Sequence, residues 1–189
     1  MAARSPPKPV TAASLEASAL FYLERFASSA ANLRRVLLRR VQRSAALHGT
    51  DPDAGTLLVD ALVGRLLVNG LLDDRNYAAA KSASLRRRGA SARAIAAKLA
   101  SQGVERGLIQ AALADADADA PRDTGDLAAA AALARRRRLG PFRPPDLRDA
   151  WRLKDLAAFA RAGFSRSVAE QILRAADPTE LAALVAPER

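Results

Sequence analysis

The chain has 189 residues and a formal net charge of +10, from 30 Lys and Arg against 20 Asp and Glu. Half of it is apolar, which is enough to bury a core and argues against wholesale disorder. The absence of Cys and the single histidine, His48, exclude disulfides, thiolate metal sites and histidine-pair metal sites, and argue against imidazole catalysis.

Neither a targeting signal nor a membrane span is visible. The first ten residues include basic side chains but no apolar segment of the kind a signal peptide needs. No run of about 18 apolar residues occurs, so we expect no transmembrane helix and a cytoplasmic protein.

The positive charge is concentrated in blocks. Basic segments at residues 14–47, 75–110 and 127–140 alternate with acidic segments at 48–74 and 111–126. An excess carried mostly by arginine indicates a polyanionic partner. A genome of biased base composition would also enrich Ala and Arg, but it would scatter the arginines rather than group them.

The chain is predicted to be all-α. β-branched residues are sparse, and Ala, Leu and Arg are good helix formers. The helices with predicted bounds cover residues 14–26, 30–45, 54–69, 105–114 and 146–162. Four more are predicted from their end signals: one between Asp73 or Asp74 and the glycine at 89, one between Ser91 and the glycine at 103, one from Asp126 to residue 138, and one from the serine at 165 to just before Pro178.

Glycines and short polar residues mark most of these helix ends. The predicted structural turns and caps are Gly70, Asp73, Asp74, Gly89, Gly103, Gly163 and Ser165. The loop predicted at 48–55 precedes a helix capped by Asp53.

Two segments of the chain repeat. Residues 99–117 align without gaps on 159–177, with Gly103 matching Gly163. Each is a helix, a glycine turn with an apolar residue behind it, and a returning helix. With a looser match in the first third, we predict three tandem three-helix repeats forming an elongated, curved array. The predicted divisions are a disordered tail 1–13, repeats 14–72, 73–117 and 126–177, an acidic linker 118–125 and a C-terminal tail 178–189.

The motifs resemble those of the RecX family. The junction GLLDDRNYA at 70–78 resembles that family's GLLDD-basic-x-aromatic-Ala pattern. After Gly89, the residues Ile95, Leu99, Gly103 and Val104 match the family's Ile-x-x-x-Leu-x-x-x-Gly-(Val/Ile) spacing. The YL-containing helix near the start and the Gly-Phe-Ser segment at 163–165 also fit. The resemblance covers residues 14–175, and the motifs are mostly turns, caps and core positions.

The resemblance implies a regulator of the bacterial recombinase RecA. RecX-like proteins bind along the groove of the RecA filament on single-stranded DNA and inhibit strand exchange, ATP hydrolysis and co-protease action in DNA repair and the SOS response. The implied partners are the RecA filament and single-stranded DNA, with double-stranded DNA as a further ligand. We expect a monomer that binds no membrane, cofactor or metal.

Arginine suits such a partner because its planar fork binds phosphate and carboxylate in a bidentate manner. The predicted binding residues are Arg34, Arg35, Arg39, Arg43, Arg86, Arg87, Arg88, Arg93, Lys98, Arg135, Arg136, Arg137 and Arg138. Solvated helix faces, with terminal arginines that complement the helix dipole, are the alternative interpretation of each cluster.

Other candidate sites have simpler explanations. Tyr77 and Trp151 have the ring faces needed to stack on bases, but their helical apolar spacing favours core packing. The Asp73–Asp74 pair is explained better as a helix cap than as an acid/base pair. No GxxxxGK[ST] motif occurs, and we predict no catalysis.

Two alternatives to a filament regulator stay open at this point. Short helices joined by glycine turns also suit a helical protein that binds DNA directly, such as a transcription regulator. An unrecognised hydrolase is the other, supported only by scattered carboxylates.

Overall fold

The computed structural model describes residues 8–117 and 125–186, and every regular element in these ranges is helical. The prediction of an all-α fold is therefore confirmed. The α-helices are α1 (Ala12–Leu23), α2 (Ala30–His48), α3 (Pro52–Val68), α4 (Asp74–Arg87), α5 (Ala92–Ser101), α6 (Arg106–Ala116), α7 (Gly125–Arg137), α8 (Arg148–Arg161), α9 (Arg166–Arg174) and α10 (Pro178–Val185). Two 3₁₀ turns, Gly140–Phe142 and Pro145–Leu147, form the proline-rich connection before α8.

The first helix starts earlier than predicted because Thr11 caps it. The Thr11 hydroxyl accepts a hydrogen bond from the Ser14 backbone N–H at 3.2 Å, and the Ser14 hydroxyl accepts one from the Thr11 N–H at 2.8 Å. This reciprocal pair satisfies two backbone donors at the helix start. The predicted tail 1–13 is therefore too long at its end, and its residues 1–7 lie outside the described part of the chain.

Proline begins two helices, α3 and α10, that start at positions the sequence analysis did not predict. Asp51, rather than Asp53, caps α3 and accepts from the Asp53 N–H at 2.8 Å, so the loop predicted at 48–55 shortens to three residues. The predicted C-terminal tail contains α10, capped by Asp177. Proline is favoured at the first helical position, so Pro178 starts α10 as well as ending the previous segment.

The described residues form two compact units. Unit 1 comprises Met1–Tyr77 and Gln102–Val104. Its core is made by one stripe of α2 facing one stripe of α3, with a contribution from α1. The largest fully buried side chains of this core are Leu15, Leu33, Leu37, Val41 and Val59. A Cβ at Gly55 would lie 2.5 Å from Cγ1 of Val41, so glycine permits this close helix contact.

Unit 2 comprises Ala78–Ser101 and Glu105–Arg189. Its main core gathers α7, α8, α9 and α10 around Phe159, whose ring meets the Phe164 ring edge-on at 6.0 Å between centroids. Leu181 of α10 is 2% exposed in this core, so α10 is an integral element rather than a tail. Most of the second predicted repeat and the whole of the third fall in unit 2, and the count of three repeats stays a prediction.

The glycines that were predicted to end helices do so, with a left-handed backbone conformation. Gly70, Gly89, Gly103 and Gly163 all have positive φ, between 71° and 87°. Behind two of these glycines, the Ala90 N–H donates to the Leu85 carbonyl at 3.0 Å and the Phe164 N–H to the Phe159 carbonyl at 3.1 Å. This six-to-one bond is the Schellman arrangement.

The end of α7 has the same arrangement without a glycine. The Leu139 N–H donates to the Ala134 carbonyl at 2.9 Å, and Arg138 takes the left-handed position with φ 54°. The sequence analysis ended this helix at residue 138, one residue beyond the observed end at Arg137. An arginine in this region of backbone space is strained, because its Cβ crowds the following carbonyl.

The predicted caps also form, and one of them joins two helices. Asp73 accepts from the Asn76 N–H at 2.9 Å and caps α4, while Ser165 accepts from the Val168 N–H at 3.2 Å and caps α9. Asp74 accepts from the Ala30 N–H at 2.8 Å, so it caps α2 instead of its own helix.

The sequence repeat has a structural counterpart. In both copies a buried residue lies in the last turn of the first helix, and a second buried residue follows the glycine. These residues are Leu99 and Val104 in one copy, and Phe159 and Phe164 in the other. The aligned aspartates nevertheless have different structural roles. Asp117 accepts from Arg86 at 2.6 Å, whereas Asp177 caps α10 and its pKa is lowered by the backbone N–H groups of Glu180 and Thr179.

Arg86 ties together three helices of unit 2. It lies at the end of α4 and is 9% exposed. Its guanidinium donates to Asp117, just after α6, and to Asp126, in the first turn of α7, as well as to the Ala90 carbonyl at 3.2 Å. Burial disfavours the charged form, but the hydrogen bonds with Asp117 and Asp126 outweigh it and raise the pKa of Arg86.

We predict that Gly89→Ala destabilises the protein by about 2 kcal/mol or more. The new Cβ would lie 2.7 Å from the Leu133 backbone nitrogen, at a φ that alanine disfavours. The control is Gly64→Ala in α3, where a Cβ meets nothing within 4 Å and helix propensity should raise stability by about 0.5–1 kcal/mol. Urea unfolding measures both, and equal effects of the two variants would contradict the account.

We predict that Arg86→Met lowers the free energy of unfolding by about 1–3 kcal/mol, because two partly buried carboxylates lose their partner. Arg87→Met, at the next and exposed position, should change it by less than about 0.5 kcal/mol. Thermal and urea unfolding of the two variants give the comparison, and an unchanged stability of Arg86→Met would show that the ion pairs do not hold these helix ends.

Candidate functional site

A row of arginines runs along the outer side of α2. Arg35, Arg39 and Arg43 recur every four residues, are exposed, and lie opposite the buried stripe of Leu33, Leu37 and Val41. We call these three arginines the α2 stripe. No acidic side chain of the described residues forms an ion pair with Arg39 or Arg43. Arg39 and Arg43 therefore present positive charge to solvent.

Arg34 does not belong to this stripe. Its guanidinium binds Asp60 of α3 in a bidentate manner, at 2.5 and 3.0 Å. The hydrogen bonds lower the pKa of Asp60 and raise that of Arg34. The sequence analysis grouped Arg34 with the binding residues, and the structure assigns it to the contact between α2 and α3. Arg40 is exposed at the edge of the same basic face and was missed.

The second predicted cluster divides in the same way. Arg86 is buried in its ion pairs, which corrects its assignment to a binding surface. Arg87, Arg88, Arg93 and Lys98 are exposed. The sequence pattern of three consecutive arginines could not separate the inward residue from its neighbours, because the acidic partners are distant in the chain.

The second and third clusters meet at one groove. Arg87 of α4 and Arg135 and Arg136 of α7 line a groove of about 550 Å³ with an apolar floor. The floor is formed by Ala128, Ala131, Ala132, Phe142, Leu181 and Val185. We call this the arginine-rimmed groove. Arg136 also donates to the Arg88 carbonyl, so the two clusters are in direct contact. Arg137 and Arg138 are exposed beyond its rim.

A third basic surface surrounds Trp151 of α8. Trp151 is 37% exposed, so the prediction that it packs in the core is wrong. Arg143 Cζ lies 4.4 Å and Lys154 Nζ 4.2 Å from its ring centroid. Together with Arg161 they line an open cavity of about 360 Å³. We call Trp151, Arg143, Lys154 and Arg161 the Trp151 patch. The sequence feature that could have indicated this patch is a basic residue, Lys154, three positions after an aromatic one, Trp151.

Tyr77, the other aromatic candidate, is partly buried in unit 1, as predicted. Burial raises the pKa of its hydroxyl, with smaller contributions from Tyr22 and Asp74. It is therefore a packing residue of the α4 start.

The described part of the chain has few side-chain arrangements that could support a chemical reaction or hold a metal ion. No cluster of three or more His, Cys, Asp or Glu side chains suitable for a metal occurs within it. Nor does it contain a helix long and apolar enough to cross a membrane. What the structure does offer is exposed positive charge on both units.

Comparisons with known proteins agree on one family. Residues 73–113, which contain α4, α5 and most of α6, match the family model described as RecX, second three-helix domain. The chain is 45% identical over 168 residues to "Regulatory protein RecX" of Myxococcus xanthus, with 88% of both chains covered. The protein of that name from Agrobacterium fabrum is 33% identical, with 82% of this chain and 79% of the relative covered. That from Mycobacterium avium is also 33% identical, with 75% and 80% covered.

No solved structure matches the chain significantly. The relatives nevertheless align with most of its length, and the family model coincides with the three helices that follow the GLLDD junction. The resemblance drawn from the motifs is thus confirmed, and the chain belongs to the RecX family.

Proposed function

We propose that the protein is a regulator that binds the filament formed by the RecA recombinase on single-stranded DNA. Its main effect is to inhibit strand exchange, ATP hydrolysis and co-protease action in DNA repair and the SOS response. Support comes from the relatives, whose name is "Regulatory protein RecX". We also propose that it acts in the cytoplasm, as a monomer and without a cofactor.

The observation that carries this proposal is exposed arginine on both units, the α2 stripe in unit 1 and the arginine-rimmed groove in unit 2. A nucleoprotein filament is a repeating polyanion, with DNA phosphates and acidic protein side chains. Arginines along a helix neutralise such charges and release condensed counterions, which favours binding at low salt. Several basic surfaces allow one molecule to contact the filament at more than one point.

Regulation by binding also fits the lack of an evident catalytic centre among the described residues. A bound protein can block the movement of DNA strands or the subunit changes that accompany ATP hydrolysis. Neither effect requires a bond to be made or broken by the regulator. We therefore propose that the protein is not an enzyme.

A direct DNA-binding role is the second candidate, and the Trp151 patch is the observation that favours it. Exposed aromatic rings beside cations are typical of proteins that bind single strands. The two candidates differ in partner dependence, since a filament regulator changes recombinase activity and a DNA-binding protein acts without it.

We predict that the protein lowers the ATPase rate of RecA on single-stranded DNA in a concentration-dependent manner. Binding to the filament should slow the subunit changes coupled to hydrolysis. The measurement is a coupled ATPase assay with excess DNA, so that simple competition for DNA does not reduce the rate. Unchanged hydrolysis and unchanged strand exchange at saturating protein would contradict the proposal.

We predict that Arg39→Glu with Arg43→Glu weakens binding to the RecA filament by about tenfold or more, because two favourable contacts become repulsive. Circular dichroism should show unchanged helicity, since both side chains point to solvent. The charge-matched control is Arg166→Glu with Arg174→Glu on α9, two exposed arginines paired with Glu170. Equal loss of affinity in both double variants would show that net charge, not the α2 stripe, governs binding.

A further inference from the structure

We propose that the Trp151 patch is a binding site for single-stranded nucleic acid, in which one base stacks on the Trp151 indole and the adjoining phosphates bind Lys154 and Arg161. The inference extends the proposed function by assigning a DNA contact to α8. Its test uses DNA without recombinase, so the two can fail separately.

The Trp151 side chain is partly accessible to solvent. Trp151 lies on α8 near the start of the helix and is 37% exposed, while Phe159 on the same helix is fully buried. The exposed part of the ring is apolar surface in contact with water, and a base stacked on it would remove that surface from water. The adjoining cavity of about 360 Å³ is open to solvent and leaves room beside the ring.

One of the two cations at the ring is fixed. The Arg143 guanidinium binds Asp155 through two hydrogen bonds of 2.9 and 2.8 Å. Asp155 is 2% exposed and also accepts from the Gly140 N–H at 2.9 Å, so it anchors Arg143 to the turn before α8. The hydrogen bonds with Asp155 also raise the pKa of Arg143. Arg143 therefore holds the indole in place, and its charge is largely neutralised by Asp155.

The other cation is able to move. Lys154 is exposed, and none of the ion pairs among the described residues involves it. Its long side chain can leave the ring and bind a phosphate when a base takes its place. The exchange replaces a cation–π contact in water with a base stack and a charge-assisted hydrogen bond.

The remaining cation extends the site along the helix. Trp151, Lys154 and Arg161 are separated by three and seven residues and so share one side of α8. The rise of 1.5 Å per residue places Arg161 about 15 Å beyond Trp151. The length of this stripe suits a short stretch of extended nucleic-acid backbone. Arg161 is exposed at the end of α8 and, like Lys154, takes part in no ion pair between described residues.

Single strands fit this site better than duplexes or acidic proteins do. In a duplex the base faces are stacked inside and cannot meet an indole, whereas a single strand exposes them. A carboxylate-rich protein surface would use the cations but has no flat ring to cover the indole. The ligand class is therefore nucleic acid with unpaired bases.

Intrinsic fluorescence tests the proposal, because Trp151 is the only tryptophan in the chain. Titrating the full-length protein with a thymidine oligomer at low salt should quench the emission saturably. Polyphosphate and poly-glutamate, which have charge but no bases, should quench it weakly. Quenching of equal depth and affinity by either polymer, tighter binding of duplex DNA, or oligomer binding without any change in emission would overturn the proposal.

Variants separate the two parts of the site. In anisotropy measurements with a labelled thymidine oligomer, Trp151→Ala should weaken binding about tenfold, while Trp151→Phe should keep most of the affinity. Lys154→Gln with Arg161→Gln should weaken binding and reduce the slope of log affinity against log salt by about 1.4. The charge-matched control is Arg166→Gln with Arg174→Gln. Wild-type binding by Trp151→Ala, or equal loss in the control, would contradict the assignment.

Discussion

In unit 2, the positions of three helix ends and of the neighbouring arginines depend on the ion pairs made by the buried guanidinium of Arg86. It joins the end of α4 to Asp117 after α6 and to Asp126 at the start of α7. The protein has no disulfide to fix its short helices. An ion pair at three helix ends supplies a directional constraint that apolar packing lacks. It places Arg87 and Arg88, the next two residues, at the surface beside α7.

The arginines of this protein therefore fall into two groups. One group holds helices or turns together through aspartates. Arg34 and Arg143 each bind one aspartate through two hydrogen bonds, and Arg86 binds both Asp117 and Asp126. Others, such as Arg39, Arg43, Arg135 and Arg161, extend into solvent. Replacing arginines of the second group should therefore leave the fold intact. This separation allows binding and stability to be tested independently.

Local rules were enough to predict nine of the ten α-helices in the described residues and most of the turns. Gly89 and Gly163 end their helices as expected because only glycine adopts a left-handed backbone without strain. The division of the arginine clusters was not predictable, since the partners of Arg34 and Arg86 are 26 or more residues away in the chain. The burial of Trp151 was predicted wrongly because helical spacing alone does not show which neighbours cover a face. Helix α10 was missed because one proline both ends a segment and begins a helix.

The most direct test of polyanion recognition is the salt dependence of binding to the RecA filament on single-stranded DNA. If exposed arginines neutralise about four phosphates, log affinity should fall against log salt with a slope of about −3. Arg39→Glu with Arg43→Glu should make that slope shallower, and the α9 control should not. Tight binding that does not change with salt would contradict the account and would instead indicate apolar contacts with the recombinase.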